Sequence, residues 1–204
     1  MYSNIVKIHP YVGNNYNNTK PKILILGLSV YDKEGISETT AQSYINGLIN
    51  KEWNYAFFTK IQNTFCNEKH WDKISYKNYS LNVDLFWNDF CFYEYIQDKM
   101  NHPKEKTPEV YWENAKEPFI EVLKELKPDI VIALGYETYD NLPEFGEGSI
   151  TIKYKENVMY TWKYNVDNKD IYVCRVQHPS SFGFNQEIWG KLFQKFIKKY
   201  ESII

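Results

Sequence analysis

No run of about 18 apolar residues occurs in this sequence, and no charged start leads into an apolar stretch. Neither export nor a membrane-spanning helix is expected, and a cytoplasmic protein with no membrane partner is the reading. Cysteine is scarce. Cys66, Cys91 and Cys174 are odd in number, far apart and without a CxxC pair, which argues against a disulfide framework and against a thiolate metal site. Each lies among apolar or aromatic residues, where Cys acts as a small hydrophobe. Excess positive charge is also missing: with a formal net charge of -2, any contact with nucleic acid has to use a local patch of Lys. Gly27-Leu28-Ser29-Val30 lacks the glycine spacing that cradles phosphates, and there is no internal repeat or low-complexity segment.

What is abundant is aromatic surface. Eighteen Tyr, twelve Phe and six Trp make 18% of the 204 residues, more than a core of this size needs. Two causes fit: a composition bias that raises Tyr, Phe, Asn, Lys and Ile together, or stacking surfaces for bases and sugars. The length suits one domain spanning 1–204, with 1–21 as an N-terminal extension.

Lys22-Ile23-Leu24-Ile25-Leu26-Gly27 is a short apolar run ending in Gly, the pattern of a strand buried on both faces. Asp129 to Gly135 repeats it. Before the second run, Trp112, Ala115, Phe119, Val122, Leu123 and Leu126 share one helical face, with Thr107 as N-cap, Pro108 at the first helical position and Lys127-Pro128 as the stop. Strand, helix and strand fit a parallel crossover. Phe58, Ile61 and Phe65 suggest another helix, and Val83 to Tyr93 reads as a strand around Asn88. Val158–Val166 and Ile171–Gln177 flank polar Asp167–Asp170 as a hairpin, and Ile188 to Tyr200 forms a C-terminal helix whose lysines face outward. The expected architecture is α/β: a three-layer αβα domain with a central, mainly parallel four-stranded sheet and an added β-hairpin. In such sheets ligands sit beyond the carboxyl ends of the strands. The candidates are thus Gly27 to Asp32, the stretch around Asn88, Gly135 to Thr138, and His178 to Phe184.

His178-Pro179-Ser180-Ser181-Phe182-Gly183-Phe184 lies between a strand and a helix and resembles the second signature of uracil-DNA glycosylases. The resemblance implies that His178 donates to the pyrimidine oxygen as the base leaves and that Phe182, with Phe184 as alternate, wedges into the duplex. Ile25-Leu26-Gly27-Leu28-Ser29-Val30-Tyr31-Asp32 is similar to the first signature, with Tyr31 where a 5-methyl would be blocked. The water-activating Asp of that signature is replaced by Ser29 and its Pro by Val30, which leaves Asp32 as the nearest catalytic carboxylate and Asp89 in reserve. Phe86-Trp87-Asn88-Asp89-Phe90 resembles the strand whose Asn reads the flipped base, because an amide offers one donor and one acceptor. Phe57 is the candidate for stacking under the base, with Phe58 as competitor. Pro103, Thr107-Pro108-Glu109, Pro118-Phe119 and Leu126-Lys127-Pro128-Asp129 resemble thermophile-type members, which carry an iron-sulfur cluster on four Cys; three unsuitably spaced Cys argue for none here.

The resemblance, covering roughly Lys22 to Tyr200, implies a monomeric, cofactor-free, monofunctional DNA glycosylase. It would flip a damaged or modified pyrimidine out of DNA and hydrolyse its N-glycosidic bond. Two alternatives stay open: a glycosylase for hydroxymethyl- or glucosyl-hydroxymethylcytosine in phage DNA, acting in antiphage defence, and a DNA-binding relative that has lost cleavage.

Overall fold

The computed structural model of the chain describes residues 2–31, 36–75, 78–102 and 105–204. In chain order it has strands β1 (Tyr11–Val12) and β2 (Ile23–Gly27), helices α1 (Thr40–Ile49) and α2 (Ala56–Phe65), and the antiparallel pair β3 (Trp71–Ser75) and β4 (Asn78–Leu81). Helix α3 (Val83–Asp89), strand β5 (Phe90–Glu94), helix α4 (Glu109–Leu126), strand β6 (Ile130–Leu134) and helix α5 (Tyr136–Asp140) follow. The chain then forms β7 (Glu147–Tyr154), β8 (Asn157–Val166), β9 (Lys169–Val176) and helix α6 (Gln186–Glu201).

Continuous apolar runs need cover on both faces, and β2, β5 and β6 are buried at every position. With β9 they run parallel in the order β5-β2-β6-β9. The chain thus steps outward from β2 to β5, returns to β6 and continues to β9, which puts a topological switch point between β2 and β6. A crevice at the carboxyl ends is the usual ligand site of such an arrangement. The four parallel strands belong to a larger sheet than expected. It has seven strands in the order β1-β5-β2-β6-β9-β8-β7, with β1 antiparallel on β5 and the β7–β8 pair antiparallel beyond β9. The sheet is therefore mixed, and the hairpin extends it. Asp167 and Asn168, at φ 49° and 62°, make the tight β8–β9 turn, a conformation these two residue types tolerate better than most.

The apolar interior is split by the sheet. On one face Ile23, Ile25, Phe90, Phe92, Ile132 and Cys174 pack with side chains from α1, α2, α3 and α6. On the other, Leu24, Leu26, Cys91, Tyr93 and Val131 meet α4. Helix α6 is capped by the Asn185 side chain, which accepts from Ile188 N at 3.0 Å. Its Phe193 packs edge-on against Phe65 of α2, 5.2 Å between ring centres. Gly190 makes this approach possible: a Cβ there would stand 3.0 Å from the Thr64 carbonyl oxygen. Helix α2 is thereby fixed over the sheet.

Two local expectations need correction. Helix α4 starts at Glu109, with Pro108 in the N-cap position and no side chain capping it, one residue later than the Thr107 cap required. Within the N-terminal extension Val6, Ile8 and Tyr16 are buried, and Tyr11 pairs with Phe92. Val83 to Asp89 is helix, not strand, because Asn82 caps it by accepting from Leu85 N at 3.0 Å. Its rings also follow helical spacing, with Phe86 stacked on Phe90 at 4.4 Å. Among the described residues no helix is long and apolar enough to cross a membrane.

Candidate active site

His178 lies two residues past the end of β9, beside the switch point. Its Nδ1 accepts the Ser180 N–H at 3.1 Å, so a neutral imidazole must carry its proton on Nε2. Burial, and then the nearby Lys60 ammonium, hold its pKa below the ordinary histidine value. The side chain is therefore a neutral N–H donor at neutral pH. Among the described residues no acceptor holds that Nε2–H. Gly135, at φ 112°, lets the chain turn from β6 into α5 next to it, and a Cβ on Gly135 would come within 3.7 Å of His178 Cβ.

Phe57, on the first turn of α2, lies nearly parallel to the imidazole, 5.2 Å between centres and 25° between planes. Its neighbour Phe58 points into the core, edge-on to Phe92 and Trp87. Of the two rings, Phe57 is therefore the one beside the imidazole, and Phe58 belongs to the core. A flat heterocycle covered by the Phe57 face would lie in the layer of the imidazole, with the Nε2–H directed along its plane. Lys60, one turn further along α2, donates to the Pro179 carbonyl at 2.7 Å and ties the helix to the loop.

That loop is strongly ordered by local hydrogen bonds. Ser181 N donates to the His178 carbonyl at 2.9 Å and Phe184 N to the Ser181 carbonyl at 3.2 Å. Gln177 Nε2 donates to the Phe182 carbonyl at 3.1 Å while its Oε1 accepts from Trp189 Nε1 at 3.3 Å. At the loop tip, ahead of Gly183 at φ 78°, Phe182 is fully exposed. Phe184 instead packs against the core, beneath the Lys60 ammonium. The two aromatics thus differ in exposure: Phe182 stands in solvent and Phe184 does not.

The carboxyl ends of β2 and β5 lie at the same edge of the sheet. Tyr95 N donates to the Gly27 carbonyl, Ile96 N to that of Leu28 and Met100 N to that of Val30, so the two chains stay paired beyond the strands. Ser29 is buried, and its hydroxyl lies beside the Tyr31 phenol without a bond of good geometry. Tyr31 is half-buried at the rim, its pKa raised by burial. Asp32 lies outside the described residues.

The structure separates Asn88 from this group. Asn88 is in the last turn of α3 and precedes β5, so it lies at the amino end of the parallel strands, the opposite sheet edge from His178. It lines a shallow surface groove with Asn15, Lys69, His70 and Asp89. Its carbonyl accepts from Asn15 N at 2.8 Å. Asp89, the reserve carboxylate, is at the same wrong edge.

The residue that stands at the carboxyl end of β5 is Glu94, paired in register with Gly27. It is 4% exposed, and its Oε2 has no hydrogen-bond partner. A Cβ on Gly27 would collide with this carboxyl group, so the glycine is needed for the carboxyl to lie across the end of β2. Burial pushes the Glu94 pKa up to about 8. Its signal in the sequence was a single acid inside the apolar and aromatic run Phe90 to Ile96, where an unpaired charge is costly.

The chain matches no protein-family model and no curated protein.

Proposed function

We propose that the protein is a monofunctional DNA glycosylase of the uracil-DNA glycosylase type, acting on a pyrimidine nucleotide flipped out of DNA. The observation that carries this reading is the His178 imidazole. It is neutral, with Nδ1 occupied by a backbone N–H, Nε2–H without an acceptor among the described residues, and Phe57 layered over it at the carboxyl edge of the sheet. Further support comes from Phe182, exposed on the same loop, and from the β5-β2-β6-β9 order of the parallel strands, which suits the fold of that superfamily.

Cleavage of the bond from C1′ to a pyrimidine N1 leaves negative charge on the base and positive charge on the sugar. A preorganised donor at the base oxygen acts where charge develops, and one such donor is typically worth about 3 to 4 kcal/mol. His178 Nε2–H supplies it without first losing a charge to water. Phe57 holds the base plane, and Phe182 fills the gap that the extruded nucleotide leaves in the duplex. Lys60 is held on the Pro179 carbonyl and serves the loop rather than a Schiff base, so hydrolysis without strand cleavage follows.

The decisive experiment is single-turnover incubation with oligonucleotides carrying one uracil, hypoxanthine, cytosine or 5-hydroxymethylcytosine, scored as alkali-labile abasic sites. At least one must be cleaved by the wild type and spared by His178→Ala. A second reading, a binding relative without cleavage, draws on Ser29 in place of the usual Asp; it predicts selective DNA binding with no abasic product from any of the four.

A further inference from the structure

Glu94 has no role in the mechanism above, although it is deeply buried at the same sheet edge as His178, with its Oε2 unpartnered among the described residues. Side chains alternate along a strand, and Phe90 and Phe92 face the same apolar cluster as Ile23, Ile25 and Val176. Glu94 and Gly27 continue that alternation, on the face that α2 covers and that His178 joins through Phe57. β5 and β9 are three strand spacings apart, about 14 Å. Glu94 and His178 therefore stand on one face and at one edge of the sheet with β2 and β6 between them, a separation of the order that one ring held between their polar ends would bridge. Among the described residues no cation stands beside Glu94 and burial alone raises its pKa, which favours the neutral acid, and a neutral carboxyl offers one donor and one acceptor side by side.

We propose that Glu94 reads the polar edge of the flipped base and selects a cytosine-type pyrimidine, donating its proton to ring nitrogen N3 and accepting from the exocyclic 4-amino group. This inference rests on the glycosylase reading and names its substrate class. An amide offers the same pattern of hydrogen bonds but cannot release a proton; an acid can, and only a base with a basic ring nitrogen gains from that. Uracil carries an N–H at this position and weakly basic oxygens, so it would be bound without being activated.

The step balances as follows. The C1′–N1 bond breaks with its electron pair going to the base, while the Glu94 proton passes to N3, so the base leaves as neutral cytosine in its 3H form. Glu94 is left as carboxylate. Water adds to C1′ and loses one proton, and Glu94 takes up a proton to restore the acid. His178 Nε2–H faces the 2-oxygen throughout.

The test uses single-stranded oligonucleotides carrying cytosine, 5-hydroxymethylcytosine, 3-deazacytosine or uracil at one position, with wild type and Glu94→Gln, together with binding of the free bases cytosine, 3-deazacytosine and uracil by calorimetry. Wild type is expected to cleave a cytosine-type substrate, to lose at least about 100-fold when N3 is replaced by carbon, and to lose about as much in Glu94→Gln, as removal of a general acid requires. The 3-deaza comparison needs only wild type, so it stands even where the variant fails to fold. Cleavage of uracil DNA unaffected by Glu94→Gln, with cytosine types untouched by wild type, keeps the glycosylase and overturns the inference. Equal loss on every base in Glu94→Gln also overturns it, by moving Glu94 to the sugar. Cytosine bound over uracil, with that preference lost in both 3-deazacytosine and Glu94→Gln but no DNA cleaved, overturns cleavage and keeps Glu94 as the reader. Absence of both cleavage and base preference overturns both.

Discussion

The neutrality of Glu94 can be measured without any substrate, through the dependence of stability on pH. A carboxyl that titrates near 8 when folded and near 4.3 when unfolded keeps its proton in the native state over a range where the unfolded chain has released it. The unfolded state then binds fewer protons, so wild-type stability falls as pH rises through that window and levels off above the folded pKa. One proton is worth about 1.4 kcal/mol per pH unit, so the loss between pH 5 and 8 comes to about 4 kcal/mol. Against a total stability of about 5 to 15 kcal/mol for a domain, that is a large effect. Glu94→Gln keeps the shape and removes the titration. Urea unfolding of both proteins at pH 5, 6, 7 and 8 should show the variant gaining on wild type by about 1 kcal/mol at each step, least in the last as the native group begins to ionise, after starting near parity. His70 and His178, whose pKa values are lowered chiefly by burial, add a stability that grows as pH rises toward 6.5, in both proteins alike, so they cancel in the difference. A difference that stays constant over this range would mean that Glu94 is ionised in the fold, and the donor role assigned to it would be lost.

His178→Ala should lower the single-turnover rate by roughly 100-fold or more with DNA affinity nearly unchanged, since its donor matters once negative charge has appeared; an unaltered rate would remove the main support for a glycosylase. Phe182→Ala should slow cleavage in duplex DNA and leave single strands largely unaffected, because unstacking costs little there, and equal losses on both would dismiss the wedge. Asn88→Asp, at the opposite sheet edge, should leave base preference and rate unchanged in the same oligonucleotide assay. Activity should survive extended treatment with a chelator, and a loss restored by added metal would contradict the cofactor-free mechanism.

Much of this fold could be read from periodicity. Ile23 to Gly27 and Ile130 to Leu134 are continuous apolar runs that only a covered parallel strand explains, and the one-sided spacing of Trp112 through Leu126 and of Trp189 through Tyr200 requires docked helices. What periodicity concealed was the change of state inside one aromatic stretch. Phe86, Trp87 and Phe90 favour strands by type, yet the Asn82 cap turns the first half into helix and moves Asn88 by the length of a strand, from one sheet edge to the other. The same error hid Glu94, since a strand placed around Asn88 has no reason to end at Tyr93. His178, Phe57 and Phe182 were legible because each depends on its own loop or helix turn and not on where β5 begins. Tyr31 was placed at the rim by the same local logic, following β2 past Gly27. Exposure then separated Phe57 from Phe58 and Phe182 from Phe184, a distinction that residue type cannot make.

The two edges of the parallel strands carry similar chemical groups that are partnered differently, and the proposed function draws on that difference. At the amino edge His70 Nδ1 accepts the Asn67 N–H at 3.0 Å, as His178 accepts that of Ser180, but its Nε2 is 3.0 Å from Asp89 Oδ2. Burial pushes the Asp89 pKa up, yet hydrogen bonds from Lys69, Asn15 and His70 outweigh it and hold the group below the ordinary carboxylate value. Lys69 stands 2.6 Å away and Asn15 Nδ2 also 2.6 Å. Every strong donor and acceptor in that cluster is matched, which makes it a clamp between α3 and the N-terminal segment. At the carboxyl edge, among the described residues, the His178 Nε2–H meets no acceptor, and the Ser29 hydroxyl and Glu94 Oε2 have no hydrogen-bond partner. Leaving a buried polar group unsatisfied costs about 1 to 3 kcal/mol, and on the glycosylase reading a ligand with a ring-nitrogen acceptor and an amine donor at one end and an oxygen at the other would satisfy Glu94 and His178 at once.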